Sequence, residues 1–152
     1  MKFLMVCLGN ICRSPIAEGI MKAKLAAANI QGKVDSAGVL SYHSGEAPDK
    51  RAISVAGKYQ VDISGQVARQ FRKSDFVDFD FILVMDRSVY AEIAALAQTE
   101  DERNKVRLFL EFAGINEITE VPDPYYGGQE GFEMVYNMLN EGCNRILFNL
   151  TK

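Results

Sequence analysis

Cys7-Leu8-Gly9-Asn10-Ile11-Cys12-Arg13-Ser14 places five residues between a thiol and a guanidinium. The run before it, Lys2-Phe3-Leu4-Met5-Val6, has the apolar composition of a strand, and Pro15-Ile16-Ala17-Glu18 after it reads as the first turn of a helix. A connection that short must wrap tightly. The backbone N–H groups of Leu8, Gly9, Asn10, Ile11, Cys12, Arg13 and Ser14 then turn inward as an anion nest at a helix N-terminus. Cys7 falls at the base of that nest and Arg13 on its rim, an arrangement that can hold a phosphate and attack it with sulfur.

Each residue type suits such a task. Cys7 is the candidate nucleophile, because a ring of amides, a helix N-terminus and an arginine all favour the thiolate. Arg13 can clamp two phosphoryl oxygens with its planar fork and stabilise charge on them in the transition state. A cation in the first helical turn also opposes the helix dipole, which argues for a task beyond solvation. Gly9 lets the loop turn with its backbone close to a ligand. Asn10 tolerates a left-handed backbone and can hydrogen-bond inside the loop. Ser14 can cap the helix as N-cap, with Pro15 at N1, or donate to the Cys7 sulfur. Expulsion of an alkoxide or phenoxide further needs an acid. His43 is the only histidine, so a carboxyl group must serve. Asp123 is the candidate, stiffened between Pro122 and Pro124 on a glycine-rich loop followed by two tyrosines.

The elements that must position these residues alternate along the chain. Strands are expected at Lys2–Val6, Val34–Val39, Phe79–Met85 and Val106–Leu110. Helices are expected at Pro15–Ala28, Pro48–Tyr59, Ser88–Gln98 and about Glu130 to Leu150. In the first helix the expected apolar stripe is Ile16, Ile20, Ala23 and Ala27, with Met21 and Leu25 beside it and Asn29 and Gly32 ending it. In the last helix it is Phe132, Val135, Tyr136, Leu139, Cys143, Ile146, Leu147 and Leu150. This alternation predicts an α/β fold: a single three-layer domain over 1–152, with a central parallel sheet of about four strands, helices on both faces and a phosphate-binding loop after the first strand. In such sheets sites lie at the carboxyl ends of strands, where Cys7 falls.

Composition narrows the class. A chain of 152 residues with 48% hydrophobic and 24% charged residues has the make-up of one ordinary globular core. The net charge of −3 argues against a nucleic-acid partner, and Arg69-Gln70-Phe71-Arg72-Lys73 reads as a solvated basic face. No run approaches the about 20 apolar residues of a membrane helix, and none reads as a secretory signal. Three cysteines do not make a disulfide scaffold. With one histidine and no fourth ligand for the cysteines, neither a metal nor another cofactor is expected, and the expected compartment is the cytoplasm.

These residues resemble the low-molecular-weight protein tyrosine phosphatases over the whole chain. Cys7 to Glu18 is similar to the family's phosphate loop, Ala47-Pro48-Asp49-Lys50-Arg51-Ala52 to the start of its second helix, and Asp123-Pro124-Tyr125-Tyr126-Gly127 to its acid loop. The resemblance implies metal-free hydrolysis of phosphotyrosine through a phosphocysteine on Cys7. Asp123 would act first as acid and then as base, Arg13 and the loop amides would hold the phosphoryl group, and Ser14 and Asn10 would support the thiolate. It also implies phosphotyrosine proteins, with a cognate tyrosine kinase among them, as partners.

A phosphotyrosine ring needs a walled slot. Tyr42 falls where many family members carry an aromatic wall residue, and Tyr125 and Tyr126 are expected opposite. Relatives that hydrolyse phosphoarginine tend to carry threonine where this chain has Ile11, so Ile11 favours the tyrosine ester. Cys12, inside the loop, is the expected partner for a reversible disulfide with Cys7 under peroxide. Glu46, Asp86 and Arg69 are candidates for supporting the site from behind. The alternatives are a phosphoarginine phosphatase, an arsenate reductase of the same fold, and a non-catalytic phosphotyrosine-binding or redox-sensing module. The reductase needs an accessible relay cysteine, and Cys143 is expected in the core.

Overall fold

A computed structural model describes residues 1–152. Four strands, β1 (Lys2–Cys7), β2 (Lys33–Gly38), β3 (Phe81–Val84) and β4 (Val106–Leu108), form one sheet in the order β2-β1-β3-β4. Every pairing is parallel. The helices are α1 (Arg13–Ala27), α2 (Lys50–Lys58), α3 (Asp75–Asp78), α4 (Arg87–Ala94), α5 (Glu100–Asn104), α6 (Phe109–Phe112) and α7 (Gln129–Thr151). The expected α/β architecture and its parallel sheet are observed.

Alternate residues of the central strand feed two cores, as a strand's side-chain period of two requires. Phe3, Met5 and Cys7 join a cluster of 30 buried residues with α1, α2, α6 and α7, whereas Leu4 and Val6 join one of 12 with Phe76, Val89 and Ile93 of α3 and α4. The sheet is therefore covered on both faces, which is why β1 reads as a continuous apolar run rather than an alternating one. From β1 the chain moves to β2 on one side and later to β3 on the other. The strand order thus reverses beside β1, and the carboxyl end of β1 is the place where such sheets form a ligand crevice.

Several boundaries differ from the sequence expectation. The third strand is Phe81–Val84 rather than Phe79–Met85, and the fourth ends at Leu108, with Phe109 and Leu110 turning into α6. The short helices α3, α5 and α6 have four or five residues each, too few to display a helical period. In α1 the buried face carries Ile16, Ala17, Ile20, Met21 and Leu25, while Ala23 and Ala27 are exposed. Leu25 supplies the apolar surface there, and an alanine methyl offers little to bury. Leu150 is likewise exposed, because the last turn of α7 runs beyond the core. Asn29 does end α1, in the left-handed conformation with φ 56°. Its N–H bonds Ala26 O and that of Ile30 bonds Leu25 O, the paired closure of a Schellman turn.

The expected solvated basic stretch is a second correction. Arg72 and Lys73 are exposed, but Phe71 is buried in the smaller core and Arg69 is drawn inward. The Arg69 guanidinium bonds both carboxylate oxygens of the fully buried Asp75 at 3.0 Å and reaches Asp35 at 3.1 Å. A buried carboxylate needs such a partner to stay charged, so Arg69 serves Asp75 rather than solvent.

Candidate active site

The phosphate loop leaves β1 at Cys7 and enters α1 at Arg13. It can pass tightly over the end of β2 because Gly38 stands opposite Cys7 in the register. A side chain at Gly38 would meet Leu8 O at 2.9 Å and Asn10 N at 3.0 Å. The left-handed turn of the loop falls on Asn10, with φ 59°. Gly9 has no positive φ; its lack of a side chain leaves room for His43, whose ring would lie 3.1 Å from an added Cβ.

Asn10 is the hub of the loop and is almost fully buried. Its amide donates to Ser14 Oγ at 2.8 Å and to Ser36 Oγ at 2.9 Å, and its Oδ1 accepts from Arg69 N at 3.0 Å. Ser36 in turn donates to the buried Glu18 carboxylate at 2.6 Å. Ser14 Oγ lies 3.0 Å from Cys7 Sγ. Since Ser14 accepts from Asn10, its own proton is free to point at the sulfur. Of the two expectations for Ser14, that of helix cap is not met: Cys12 is the N-cap, without a side-chain cap bond, and Pro15 is the third helical residue rather than the first. The hydroxyl is engaged in the loop, so the first amides of α1 are not capped by a side chain and are left free for an anion.

Arg13 is 2% exposed. Its Nη1 donates to Asp86 Oδ2 at 2.6 Å and to Val121 O at 2.8 Å. Asp86 follows β3 and caps α4 through Val89 N at 2.9 Å, so one carboxylate both starts a helix and aims the arginine. Burial disfavours the charge on Arg13, but the Cys7 sulfur and Asp86 outweigh it and raise the pKa of the guanidinium. Cys12 behaves oppositely. Burial, with Asp49 and Cys7 adding, pushes its thiol far up, so Cys12 is a neutral thiol beside the candidate nucleophile. Cys143 is fully buried in α7, and burial pushes it up to about 12. It does not line the cleft, so it offers no relay for a reductase.

Asp123 stands across the cleft from this loop. Its Oδ1 accepts from Tyr125 N at 3.0 Å, and its Oδ2 lies 3.9 Å from Arg13 Nη2. The cleft between the two loops has a volume of about 370 Å³. Cys7, Ile11, Cys12 and Arg13 line it, as do Tyr42, Tyr125 and Tyr126. Leu40 and His43 also line it and were not anticipated in that role. His43 is edge-on to Tyr42 at 4.8 Å, faces Tyr125 at 6.4 Å, and has its Nδ1 3.1 Å from Glu46. Of the three supporting candidates, Asp86 touches Arg13, Arg69 supports Asn10 through its backbone, and Glu46 reaches only His43. Ser36 and Glu18 were missed, because nothing local in a serine within a strand or a glutamate within a helix marks a contact 26 or 18 residues away. No group of three or more His, Cys, Asp or Glu side chains is arranged to hold a metal ion.

A thiol after the first strand, an arginine and a carboxyl group that line one cleft with it are the parts of a cysteine-dependent phosphatase. Comparison with known proteins gives the family. The model of the low molecular weight phosphotyrosine protein phosphatases matches residues 2–152. A Synechocystis sp. protein that carries the family's name is 45% identical over 154 residues, covering 100% of this chain and 98% of its own length. A protein tyrosine phosphatase of Entamoeba histolytica, solved with Hepes in its active site, superimposes with a TM-score of 0.93 at 38% identity, over 99% of this chain and 96% of the other. A structure named as a Drosophila arginine phosphatase superimposes at 0.94 with 34% identity, over 100% and 99%. The chain belongs to the low molecular weight protein tyrosine phosphatases, enzymes that hydrolyse phosphotyrosine through a cysteine and without a metal.

Proposed function

We propose that residues 1–152 act as one phosphotyrosine phosphatase domain in which Cys7, Arg13 and Asp123 carry the reaction. The observation that supports this most directly is the convergence of all three on one cleft, with Ser14 Oγ 3.0 Å behind the sulfur. In the first step the Cys7 thiolate attacks phosphorus, the bond from phosphorus to the tyrosine oxygen breaks, and the Asp123 proton goes to the leaving phenolate. In the second, water attacks the phosphocysteine, the P–S bond breaks, and Asp123 takes the proton from water. Dividing one displacement into two in this way is covalent catalysis. Arg13 and the amides from Leu8 to Ser14 hold the equatorial oxygens in both steps. The Ser14 hydroxyl steadies the thiolate as it departs.

Leu40, Tyr42 and His43 on one side and Tyr125 and Tyr126 on the other give the slot flat, apolar walls that suit an aromatic ring. The exposure of Tyr42 and Tyr126, 81% and 92%, leaves them free to pack on the substrate chain around that ring. The partners are therefore phosphotyrosine proteins, a tyrosine kinase among them, met in the cytoplasm. No helix is long and apolar enough to cross a membrane. Cys12, in the same loop as Cys7, is the proposed partner for a protective disulfide. Likeness to the Drosophila arginine phosphatase supports phosphoarginine as the second substrate to try.

The test is hydrolysis of p-nitrophenyl phosphate with reductant and chelator, by the wild type and Cys7→Ser, followed by phosphotyrosine and phosphoarginine peptides. The expected result is activity that survives the chelator, vanishes in Cys7→Ser and favours the tyrosine peptide. Activity that persists in Cys7→Ser would remove the nucleophile assignment.

A further inference from the structure

Asp123 must stand at a fixed height over the phosphate loop, yet the loop that carries it is poorly anchored. From Asp123 to Gly128 only Pro124 is buried. The bonds inside this segment are local: Tyr125 N to Asp123 Oδ1 at 3.0 Å and Gly127 N to Pro124 O at 3.0 Å. The hydrogen bonds that tie residues 123–128 to a distant part of the chain come from one side chain, Arg51. Its Nη1 donates to Gly127 O and its Nη2 to Tyr125 O, each at 2.9 Å.

Arg51 is itself fixed. Its Nε and Nη2 donate to the two oxygens of Asp49, both at 3.0 Å. Its guanidinium lies over the Phe132 ring of α7 at 4.7 Å and near the Tyr125 ring at 5.6 Å. Asp49 caps α2 through Arg51 N at 2.8 Å, and its own N–H donates to Ile11 O, inside the phosphate loop, at 2.8 Å. The hydrogen bonds from Arg51 hold the Asp49 carboxyl below its ordinary pKa, so the pair remains ionised. An unbroken path then runs from the backbone of the nucleophile's loop, through Asp49 and Arg51, to the backbone of the acid's loop.

We infer that Arg51, oriented by Asp49, is a positioning residue for the general acid: it sets where Asp123 stands relative to the phosphoryl group by clamping two carbonyls of the acid loop. This rests on the assignment of Asp123 proposed above. A planar fork is required, because four hydrogen bonds and two ring contacts are made at once and a lysine ammonium cannot reproduce that geometry.

A group that only holds the fold together, or only helps bind phosphate, would slow all substrates alike. A group that positions the acid matters most where the leaving phenol most needs a proton. The test is therefore kcat/KM for aryl phosphates with leaving groups from p-nitrophenol to phenol, for wild type, Arg51→Ala, Arg51→Lys, Asp123→Asn and the double variant Arg51→Ala/Asp123→Asn. Inhibition by inorganic phosphate serves as a check on the phosphate loop.

Arg51→Ala is expected to cost only a few-fold with p-nitrophenyl phosphate but about 10- to 100-fold with phenyl phosphate, a large part of what a general acid supplies. Arg51→Lys should show the same trend, and inhibition by phosphate should stay within a few-fold of wild type. In the Asp123→Asn background, removing Arg51 should add no further leaving-group sensitivity, as expected of two residues acting as one unit. An equal loss for every leaving group, or a fully additive double variant, would overturn the inference. Should Arg51→Ala fail to fold, Arg51→Lys and Arg51→Gln carry the same comparison. If Asp123→Asn itself leaves leaving-group sensitivity unchanged, the acid assignment falls and Arg51 loses its proposed role with it.

Discussion

Of the eight residues from Cys7 to Ser14, six are buried, and each polar side chain among them has a named partner within the protein. Of the six from Asp123 to Gly128, one is buried, and the loop hangs from the backbone by way of a distant arginine. The two loops meet over the same cleft, and the proposed reaction divides the chemistry between them. The loop that binds phosphate must present many amides at once, and a small error in any of them weakens the anion site, so it is built into the core. In the proposed reaction the loop of Asp123 has one proton to deliver and a bulky substrate to admit and release. An exposed loop with a point anchor serves that purpose, and access is gained at the cost of rigidity.

That contrast can be challenged by substitution. The largest effect is expected in the buried loop: Arg13→Ala should lower kcat/KM by about 10³-fold or more, for p-nitrophenyl and phenyl phosphate alike, because phosphate charge and not the leaving group is affected. A loss that grew with leaving-group basicity would assign Arg13 to the wrong side of the comparison. Next is the hub. Asn10→Ala strands Ser14, Ser36 and Arg69 N and forces an alanine into a left-handed conformation, so it should cost about 3 kcal/mol in denaturant unfolding. In contrast, Tyr126→Ala in the acid loop should stay within about 0.5 kcal/mol. Comparable losses for the two would erase the distinction between the loops.

The buried thiols give a third test, through pH. Burial raises Cys143 from an exposed thiol's 9.0 to about 12. The unfolded chain therefore releases this proton near pH 9 while the folded one keeps it. The associated stability is complete below pH 9 and declines as pH rises toward 12, with a slope of about 1.4 kcal/mol per pH unit for one thiol. Cys143→Ala should flatten that alkaline decline, and Cys12→Ala should flatten it too, because burial also raises Cys12. A decline unchanged in both variants would show that neither thiol is held neutral by the fold. The smallest effect is expected from Ile11→Thr, a few-fold movement of the preference between phosphotyrosine and phosphoarginine peptides toward the latter. An unchanged ratio would remove Ile11 from the account of specificity.

The same two regions show what a sequence can and cannot display. The phosphate loop is legible because its chemistry is consecutive: strand, nest, arginine and helix follow one another within Lys2 to Glu18, and local propensity decides each. Asp123 is legible because two prolines and two tyrosines surround it. The residues that hold these groups in place are not local. Asp86 meets Arg13 across 73 positions, and Arg51 meets Tyr125 and Gly127 across 74 and 76, separations that no periodicity encodes. The failed expectation for Ser14 has the same cause. A serine before a proline and an apolar stripe is a good local N-cap, but Asn10 and Cys7 compete for its hydroxyl and win. Arg69 looked solvated because Asp75, its buried partner, carries no sign in the sequence that it lies inside the protein.

The central claim is that Cys7, and not its neighbour Cys12, forms the covalent bond to phosphorus. The most direct measurement is rapid acid quench during turnover of p-nitrophenyl phosphate by Asp123→Asn, in which loss of the proposed base should slow hydrolysis of the intermediate, followed by mass spectrometry of the peptides. A phosphate adduct on Cys7, absent from Cys7→Ser and retained in Cys12→Ser, is the predicted result. An adduct on Cys12, or undiminished turnover in Cys7→Ser, would contradict it.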